Sequence, residues 1–367
     1  MNLPRSPVLL VSKPLAPPWN DGSKNLAHEL ARGLASLGDR PVHAFVPRGT
    51  KEPILGRAHV VPSCTLDRRT TLAMLTTLAT ERTSGLWHFV SAPTARTARL
   101  ARAFASLRGR RTVQTLASAP PSEVRLGTVV FAERVIALSR HTRDRALAEG
   151  VAPSRLRLVP IAITPPQAPA LAAVEALRRA HGLAPNRIVV TFPGDLEHGR
   201  GADTIVEACA RMSARAGVTL VLACRDKTPA SAARRARLTG RALGAGLDVR
   251  ALGEVPAMHA LLAASDIVAL PTDSLYAKVD HPLVLLEAMH LGRPVLVSEG
   301  SAAYELAEDG GAIGAAFEAS ALAAELDRLA GDSALRARWS ERARGLAGRR
   351  TVRAMALAYE SIYSELS

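Results

Sequence analysis

The segment Leu275–Val297 constrains the fold more than any other part of the sequence. Its residues 283–289 are all apolar except Glu287, which predicts a helix that is buried on nearly all sides. Gly292 suits the end of such a helix, Pro294 stops it, and the apolar run that follows predicts a short buried strand. An ionised carboxylate inside an apolar helix costs several kcal/mol unless another group pairs with it. Glu287 therefore needs a bonding partner.

The residues before this helix favour an anion-binding helix terminus. Asp280 can cap free backbone amides, and Pro282 is tolerated in the first turn of a helix. The backbone amides of Leu283 and Val284 are then expected to point at whatever lies beyond Asp280. The sequence thus predicts an anion site at the helix N-terminus, with the Glu287 carboxylate about two turns further along.

Length and composition allow two domains and limit the classes of partner. At 367 residues, of which 48% are hydrophobic, the chain is long enough for about two domains with ordinary cores. A formal net charge of +14 favours anionic partners such as phosphates, acidic lipid headgroups or nucleic acid. Aromatic residues make up only 4%, which argues against a base-stacking surface, so no nucleic-acid partner is expected.

Cysteine usage and hydropathy predict a cytoplasmic protein. The three cysteines lack C-x-x-C spacing, which is typical of reduced thiols in the cytoplasm. No apolar run approaches the length of a membrane span, and the N-terminus lacks the apolar segment of a signal peptide. We expect at most peripheral attachment to the inner face of a membrane.

Strands, loops and helices alternate along the chain, which indicates parallel α/β sheets with ligands at the carboxyl ends of the strands. The proline-rich segment Pro160–Pro169 predicts a linker between two domains, residues 1–162 and 163–348, and a last helix, Val352–Tyr363, lies in the final segment 349–367. The predicted strands are Val8–Val11, Val42–Val46, Leu86–Val90, Thr112–Leu116, Ile188–Thr191, Thr219–Ala223, Ile267–Leu270 and Val295–Val297.

The central segment resembles the donor-site signature of retaining GT-B glycosyltransferases of family 4 (glycosyl transferases group 1). In that family an acidic residue and seven intervening residues precede a Glu that opens a helix, turn and strand like Leu286–Val297. This chain departs upstream, because Val279 stands in place of the first Glu and Asp280 comes one residue late. The resemblance implies an α/β fold of two doubly wound, Rossmann-like domains facing a central cleft, an N-terminal acceptor-side domain and a C-terminal nucleotide-sugar-binding domain, with the last helix crossing back to the N-terminal one. It also implies strands at Val135–Ser139 and Leu156–Pro160.

A second match follows the first predicted strand of the C-terminal domain. The family has Gly-Arg-Leu, three residues and Lys-Gly in this loop, and the two cations hold the donor diphosphate. Gly194, Leu196 and Gly201 match that pattern, and Arg200 stands for the lysine. Asp195 replaces the arginine, which reverses a charge where an anion is expected.

Two residues near the central helix have alternative interpretations. Lys278 either supplies the cation that is lost at Asp195, as a catalytic and donor-binding residue, or is a solvated lysine. Asp280 is either only a helix cap or a cap that also binds a hydroxyl of the donor sugar.

The N-terminal domain contributes a candidate acceptor-side loop, which consists of Asn20, Asp21, Gly22 and Lys24. The family places a glycine loop here that faces the donor phosphates and the acceptor. Gly22 is accordingly a candidate for donor binding, and the alternative is an ordinary Asn-Asp-Gly turn.

A strand histidine, His88, is a candidate catalytic residue, and the alternative is a satisfied histidine of the core. Many family members place a histidine just after the strand that corresponds to Thr112–Leu116, where it reaches the transferred sugar. Ala117 occupies that position here, so the family histidine is missing.

The predicted helix Thr94–Arg111 carries six arginines and a partly apolar face. It is either a solvated basic helix or a surface that contacts an anionic membrane. No cluster of Cys, His and acidic residues has metal-ligand spacing, so we expect neither a metal nor a cofactor.

The resemblance implies transfer of a sugar, with retention of configuration, from a nucleotide-diphosphate sugar to a glycan, lipid or small-molecule acceptor. Glu287 would bind the vicinal diol of the donor ribose through two hydrogen bonds. Arg200 and Lys278, together with the Leu283 and Val284 amides, would stabilise the charge that grows on the leaving diphosphate.

Two other functions stay open. Val279, Asp195 and Ala117 favour a catalytically degenerate GT-B protein that binds a nucleotide sugar or a partner enzyme without transfer. The net charge also allows a nucleic-acid-binding protein. This alternative has only weak support, because the arginines are dispersed and aromatic residues are few.

Overall fold

The computed structural model describes residues 5–51, 55–92, 94–276 and 278–366, which form two compact units. Unit 1 contains the described residues up to Thr164, the short segment Tyr276–Asp280 and the described residues from Arg350 onward. Unit 2 contains Pro165–Leu275 and His281–Arg349. Within the described ranges, no helix combines the length and the apolar composition needed to cross a lipid bilayer.

The described part of unit 1 is built on a parallel sheet with the strand order β3-β2-β1-β4-β5-β6-β7. Its strands are β1 Val8–Val11, β2 Val42–Pro47, β3 Arg57–Val61, β4 Leu86–Ser91, β5 Arg111–Leu116, β6 Arg134–Ala137 and β7 Leu156–Leu158. Its helices are α1 Gly22–Leu37, α2 Arg68–Thr80, α3 Ala95–Leu107, α4 Leu126–Val129 and α5 Arg140–Ala148, a 3-10 turn Pro153–Arg155, and the last helix of the chain, Val352–Ser364.

The described part of unit 2 is built on a second parallel sheet with the order β10-β9-β8-β11-β12-β13. Its strands are β8 Ile188–Phe192, β9 Val218–Ala223, β10 Asp248–Leu252, β11 Ile267–Leu270, β12 Val295–Ser298 and β13 Ile313–Ala315. Its helices are α6 Leu171–Ala180, α7 Gly201–Arg211, α8 Pro229–Gly244, α9 Met258–Ala264, α10 Leu283–His290, α11 Glu305–Glu308, α12 Ala319–Gly331 and α13 Ser333–Arg349, with 3-10 turns at Arg215–Gly217 and Ala302–Tyr304; the helix Val352–Ser364 of unit 1 is α14.

The two sheets confirm the predicted α/β fold and every predicted strand, with ends that differ by one or two residues. Three further strands, β3, β10 and β13, were not predicted. β3 is an edge strand whose side chains are mostly exposed, so it lacks the continuous apolar run that marks a buried parallel strand. The predicted helix Thr94–Arg111 is shorter, because the chain turns at Gly109 (φ +58°) and Arg111 already belongs to β5.

The last helix, α14, packs along α1 in unit 1. A buried ion pair lies at its C-terminal half: Arg40 Nη2 is 3.1 Å from Glu360 Oε1, and Arg40 Nε lies 3.2 Å from Glu360 Oε2. Both side chains are at least nine-tenths buried. Because isolated buried charges are costly, each ion depends on the other, and the pair holds the C-terminal helix in register on unit 1.

We expect Glu360→Leu to lower the free energy of unfolding by about 3–5 kcal/mol, because Arg40 would lose its carboxylate while staying buried. The double variant Arg40→Met/Glu360→Leu should recover most of this loss, since neither charge then remains. Urea unfolding followed by circular dichroism measures both. As a surface control, Glu325→Gln breaks the exposed pair with Arg328 and should change stability by less than about 1 kcal/mol. Equal losses in the single and double variants would contradict the pairing argument.

Candidate functional site

The sheet of unit 2 has a topological switch point between β8 and β11. From β8 the chain proceeds outward through β9 and β10, and then returns to the other side of β8 with β11, β12 and β13. In open parallel sheets ligands bind at the carboxyl ends of the strands beside such a point. Two connections leave the sheet there: the glycine loop, residues 193–200, follows β8, and residues 271–282 follow β11.

The glycine loop passes so close to its neighbours that larger side chains are excluded. A Cβ atom added at Gly194 would lie 1.9 Å from Cζ of Phe192, and one added at Gly201 would lie 2.2 Å from the carbonyl oxygen of Pro271. Gly201 is therefore required by the close approach of the Pro271 backbone, and Gly194 leaves room for the Phe192 ring. Gly201 begins α7, so the loop delivers the chain to a helix N-terminus beside β11.

Arg200 is held at the end of the glycine loop by the connection that follows β11. Its backbone amide donates to Asp273 Oδ1 and its Nε donates to Asp273 Oδ2, both at 2.8 Å. Its guanidinium lies 5.4 Å from the centre of the Phe317 ring. The side chain is 74% exposed, and among the described residues its terminal Nη groups have no partner. Arg200 is thus a positioned cation with free donors.

The pKa of Asp273 reflects this contact. Burial acts to raise it, but the hydrogen bonds from the side chain and the backbone of Arg200 outweigh burial and hold the pKa below its usual value. Asp273 is therefore an ionised anchor at neutral pH, and it orients Arg200 while leaving the Nη donors exposed.

Asp195 is balanced by a lysine that the sequence analysis missed. The carboxylate is 7% exposed, accepts a hydrogen bond of 2.8 Å from the Glu197 amide and forms an ion pair with Lys227. Lys227 Nζ is also 3.8 Å from Glu197 Oε2. Lys227 follows β9, which lies beside β8, so both loops leave the same edge of the sheet. That adjacency is the signal that could have identified Lys227.

Lys278 belongs to unit 1, in the segment Tyr276–Asp280. The hypothesis that Lys278 compensates for Asp195 stays a prediction. The structure identifies Lys227, in the same unit as Asp195, as the cation on that carboxylate.

Val279, the residue after Lys278, is 3% exposed, and both of its γ carbons lie 3.4 Å from the position of a Cβ added at Gly22. The position of the family's first Glu is thus an apolar contact with the start of α1.

Glu287 lies on a partly exposed stripe of α10, contrary to the prediction of a helix buried on nearly all sides. Val284, Glu287 and His290 recur every three residues and are only partly buried, whereas the other residues of the helix are buried. The Glu287 side chain is 22% exposed, and its Oε2 lies 3.7 Å from His259 Nε2. The Glu287 carboxylate raises the pKa of His259, although burial acts in the opposite direction. The lone carboxylate therefore has a partner and also faces outward.

The N-terminus of α10 lacks a side-chain cap. The prediction that Asp280 caps this helix was wrong, because Pro282 occupies the cap position and the Asp280 carboxylate points into unit 1, where Ser139 Oγ donates to its Oδ2 at 2.6 Å. Asp280 is only 2% exposed. The amides of Leu283 and Val284 thus lie in the first turn of a helix that no described side chain caps.

In the acceptor-side loop, Asp21 caps α1. It accepts hydrogen bonds from the Lys24 amide at 3.0 Å and Ser23 Oγ at 2.7 Å and pairs with Lys13. Burial acts to raise the pKa of Asp21, but these bonds lower it to about 2. Asn20 is exposed beside it. Lys24 is buried, and its Nζ donates to the carbonyl oxygens of residues 16 and 18. The assignment of Lys24 to acceptor binding is corrected, because its ammonium is bonded to backbone carbonyls of its own loop.

His88 is a core residue, so its assignment as catalytic was wrong. The side chain is fully buried. Its Nδ1 lies 2.7 Å from the Tyr363 hydroxyl, and its Nε2 lies 2.7 Å from Thr115 Oγ1. Burial lowers the pKa of His88 to about 3. A neutral imidazole with both nitrogens bonded inside unit 1 cannot reach a ligand.

One group of side chains among the described residues has the composition of a metal site, although the sequence analysis expected none. It consists of His43, His59 and Glu81, at the β3 edge of unit 1. The spacing along the chain hid this group, because its members come from different elements.

Comparison with known proteins gives a family match for residues 173–346 and the fold of the whole chain. Residues 173–346 match the family described as Glycosyl transferases group 1. The structure is similar to that of Anabaena HepE in complex with UDP-glucose (17% identity, TM-score 0.76, 98% of this chain and 100% of that chain covered). It is also similar to sucrose-phosphate synthase from Thermosynechococcus elongatus (19% identity, TM-score 0.76, 99% of each chain). A sequence search of curated proteins finds no match. Residues 173–346 thus match the family model of glycosyl transferases group 1, and the chain has the GT-B fold.

We expect Lys227→Met to lower the free energy of unfolding by about 1–3 kcal/mol, because the buried Asp195 carboxylate would keep its charge without a cation. The matched variant Asp195→Asn/Lys227→Met should be closer to wild type, since it removes both charges. Urea unfolding measures the difference. If the single variant is as stable as wild type, Lys227 does not neutralise Asp195.

We expect Glu287→Gln to lower the pKa of His259, because the carboxylate that raises it is removed. In wild type, this contribution to stability is fully present below the unfolded pKa of about 6.5 and is lost as the pH rises through the raised folded value. An NMR titration of the His259 imidazole measures the pKa directly. The control variant Glu325→Gln, on α12, should leave it unchanged. A His259 pKa that is the same in wild type and Glu287→Gln would show that the contact does not form in solution.

Proposed function

We propose that this protein is a glycosyltransferase that moves a sugar from a nucleotide-diphosphate sugar to an acceptor with retention of anomeric configuration. The observation that carries the proposal is the contact between Arg200 and Asp273 at the switch point of unit 2, because it presents a positioned cation beside β8 and β11. The family match of residues 173–346 supports the reaction class, and a fold relative crystallised with UDP-glucose supports the class of donor.

Each outward-facing group of unit 2 suits one part of such a donor. The partly exposed carboxylate of Glu287 can accept two hydrogen bonds from the vicinal diol of a ribose. The uncapped amides of Leu283 and Val284 and the positive end of the α10 dipole favour the diphosphate. Arg200, although it is paired with Asp273 through Nε, adds exposed Nη donors that can bind phosphate oxygens.

The proposed step needs no catalytic imidazole. The bond between the anomeric carbon and the leaving phosphate oxygen breaks, and its electron pair stays on the diphosphate. The acceptor hydroxyl forms the new bond on the same face of the sugar, and its proton passes to the departing phosphate oxygen. Arg200 and the α10 amides would stabilise the negative charge on that group. The burial of His88 and the presence of Ala117 at the family's histidine position are consistent with this route.

The proposal treats Lys278 and Asp280 differently, because Asp280 is buried and already bonded to Ser139. Lys278 remains a candidate second cation toward the diphosphate, to be tested by comparing diphosphate with nucleoside binding in Lys278→Met. Asp280 is buried and accepts a hydrogen bond from Ser139, so it would have to exchange that bond to bind a sugar hydroxyl.

The acceptor is a glycan, a lipid or a small molecule, and we expect the protein in the cytoplasm, in peripheral contact with an anionic membrane. The exposed Leu100 and Leu107 of the arginine-rich α3 support that contact.

The second candidate function is a degenerate GT-B protein that binds a nucleotide sugar without transferring it. Asp195 and Val279 favour it, because the first pairs with Lys227 instead of presenting a cation and the second is an apolar contact of α1. Donor binding alone cannot separate the two functions, so turnover decides between them.

The test begins with a thermal-shift panel of UDP-, GDP- and ADP-sugars. The best-stabilising donor is then incubated with crude lipid and glycan acceptors, and free nucleoside diphosphate is followed. Release that depends on the acceptor and is lost in Glu287→Ala is the result expected for a transferase. Tight donor binding without release across these acceptors would contradict transfer and favour the degenerate binder.

We expect Glu287→Gln to weaken binding of the cognate nucleotide by about 1.5–3 kcal/mol, because the charged half of the ribose contact is lost. Isothermal titration calorimetry of wild type and variant measures this difference. Glu325→Gln is the matched control, because it removes a carboxylate from an ion pair on α12. Equal affinity of wild type and Glu287→Gln would rule out the ribose assignment.

A further inference from the structure

Three metal-ligating side chains converge at the β3 edge of unit 1. His43 lies on β2, His59 lies on β3, and Glu81 directly follows α2. Each offers one ligand atom, and these atoms all lie within 4.8 Å of one another. In the parallel register His59 pairs with Phe45, two residues beyond His43, so both histidines project from the same face of the sheet. These three residues are called the histidine cluster below.

The spacing of the histidine cluster is close to that of a tetrahedral metal site. His59 Nε2 lies 3.2 Å from Glu81 Oε2. A zinc ion with bonds of about 2.0–2.1 Å places neighbouring ligand atoms about 3.4 Å apart. The pair already has this spacing, and all ligand atoms of the cluster lie within 4.8 Å of one another, so side-chain rotation can bring the third ligand to the same spacing.

His59 has an unsatisfied nitrogen that points into the cluster. Its Nε2 is buried and makes no hydrogen bond of acceptable geometry with any described residue, although Glu81 Oε2 is near. Only 9% of the His59 side chain is exposed. A buried polar atom without a hydrogen-bond partner is costly, and a cation between His59 and Glu81 would satisfy both.

The other two ligands are held in place by neighbouring groups. Glu81 Oε1 accepts hydrogen bonds from the backbone amides of Thr83 at 2.6 Å and Ser84 at 3.0 Å, which leaves Oε2 directed at His59. His43 Nδ1 lies 2.9 Å from Ser84 Oγ. Supporting bonds of this kind fix the orientation of ligands in metal sites and reduce the cost of assembling them.

We propose that His43, His59 and Glu81 bind one divalent transition-metal ion of the zinc class, with water in the remaining position. Two imidazoles and one carboxylate suit zinc and its neighbours, whereas calcium and magnesium prefer sites made of oxygen ligands alone. The ion joins the edge strand β3 to β2 and to the end of α2. The inference does not depend on the proposed glycosyl transfer, because none of the three residues takes part in it.

The test uses the full-length protein, dialysed against a chelator, and Zn²⁺ as the titrant in calorimetry. Wild type should bind one equivalent, and His59→Gln and His43→Gln should each weaken binding at least tenfold. The control variant His141→Gln removes an exposed histidine on α5 and should bind as wild type does. Absence of Zn²⁺ binding by wild type, or equal affinity in His59→Gln, would overturn the proposal.

Two further measurements separate a specific site from general effects. Co²⁺ added to wild type should produce the intense visible absorption of a four-coordinate ion, and His59→Gln should lack it. Zn²⁺ should raise the Tm of wild type and of His141→Gln but not that of His59→Gln, whereas Mg²⁺ should change none of them. If His59→Gln fails to fold without metal, His43→Gln provides the same comparison. A Tm rise with Zn²⁺ that is equal in all variants contradicts the site.

Discussion

The contact between Asp273 and Arg200 joins the two loops beside the switch point of unit 2. Asp273 follows β11 and accepts hydrogen bonds from both the backbone and the side chain of Arg200, which ends the loop after β8. These two strands border the switch point of the sheet. The Asp273 carboxylate therefore bonds the two loops at the position where such sheets bind ligands. The same contact directs the remaining donors of Arg200 outward. Loop structure and ligand chemistry therefore rest on one ionised side chain.

The charges of the glycine loop show that a departure from a family pattern can be balanced elsewhere in the chain. Asp195 places a negative charge where relatives have a cation, yet Lys227 pairs with it from the neighbouring loop. The charge of Asp195 is thus paired with a cation from the same unit, and Arg200 is an exposed cation of the glycine loop. In the proposed function, a donor diphosphate would meet the exposed donors of one paired arginine and the helix dipole of α10, which is fewer cations than the family pattern provides.

Unit 1 uses its buried histidines in two different ways. His88 has both nitrogens bonded and a pKa lowered to about 3, which makes it an uncharged part of the core. His59 is only partly buried, but its Nε2 is buried, lacks a hydrogen bond to the described residues and faces a carboxylate. Burial alone therefore does not distinguish a structural histidine from a ligand. The two kinds of histidine differ in whether each ring nitrogen has a hydrogen-bond partner.

The sequence by itself determined the two α/β units, most strand positions and the two glycines of the loop, because apolar periodicity and backbone sterics act over a few residues. It also located Arg200 and Glu287 through the family pattern. Only the tertiary structure decided which charges meet. Lys227 reaches Asp195, and His43, His59 and Glu81 converge, because parallel strands joined by crossovers bring distant residues to the same edge of a sheet. The spacing of residues along the chain does not show which of them become neighbours in space. For the same reason, the sequence did not show that Lys24 and His88 are bonded inside unit 1.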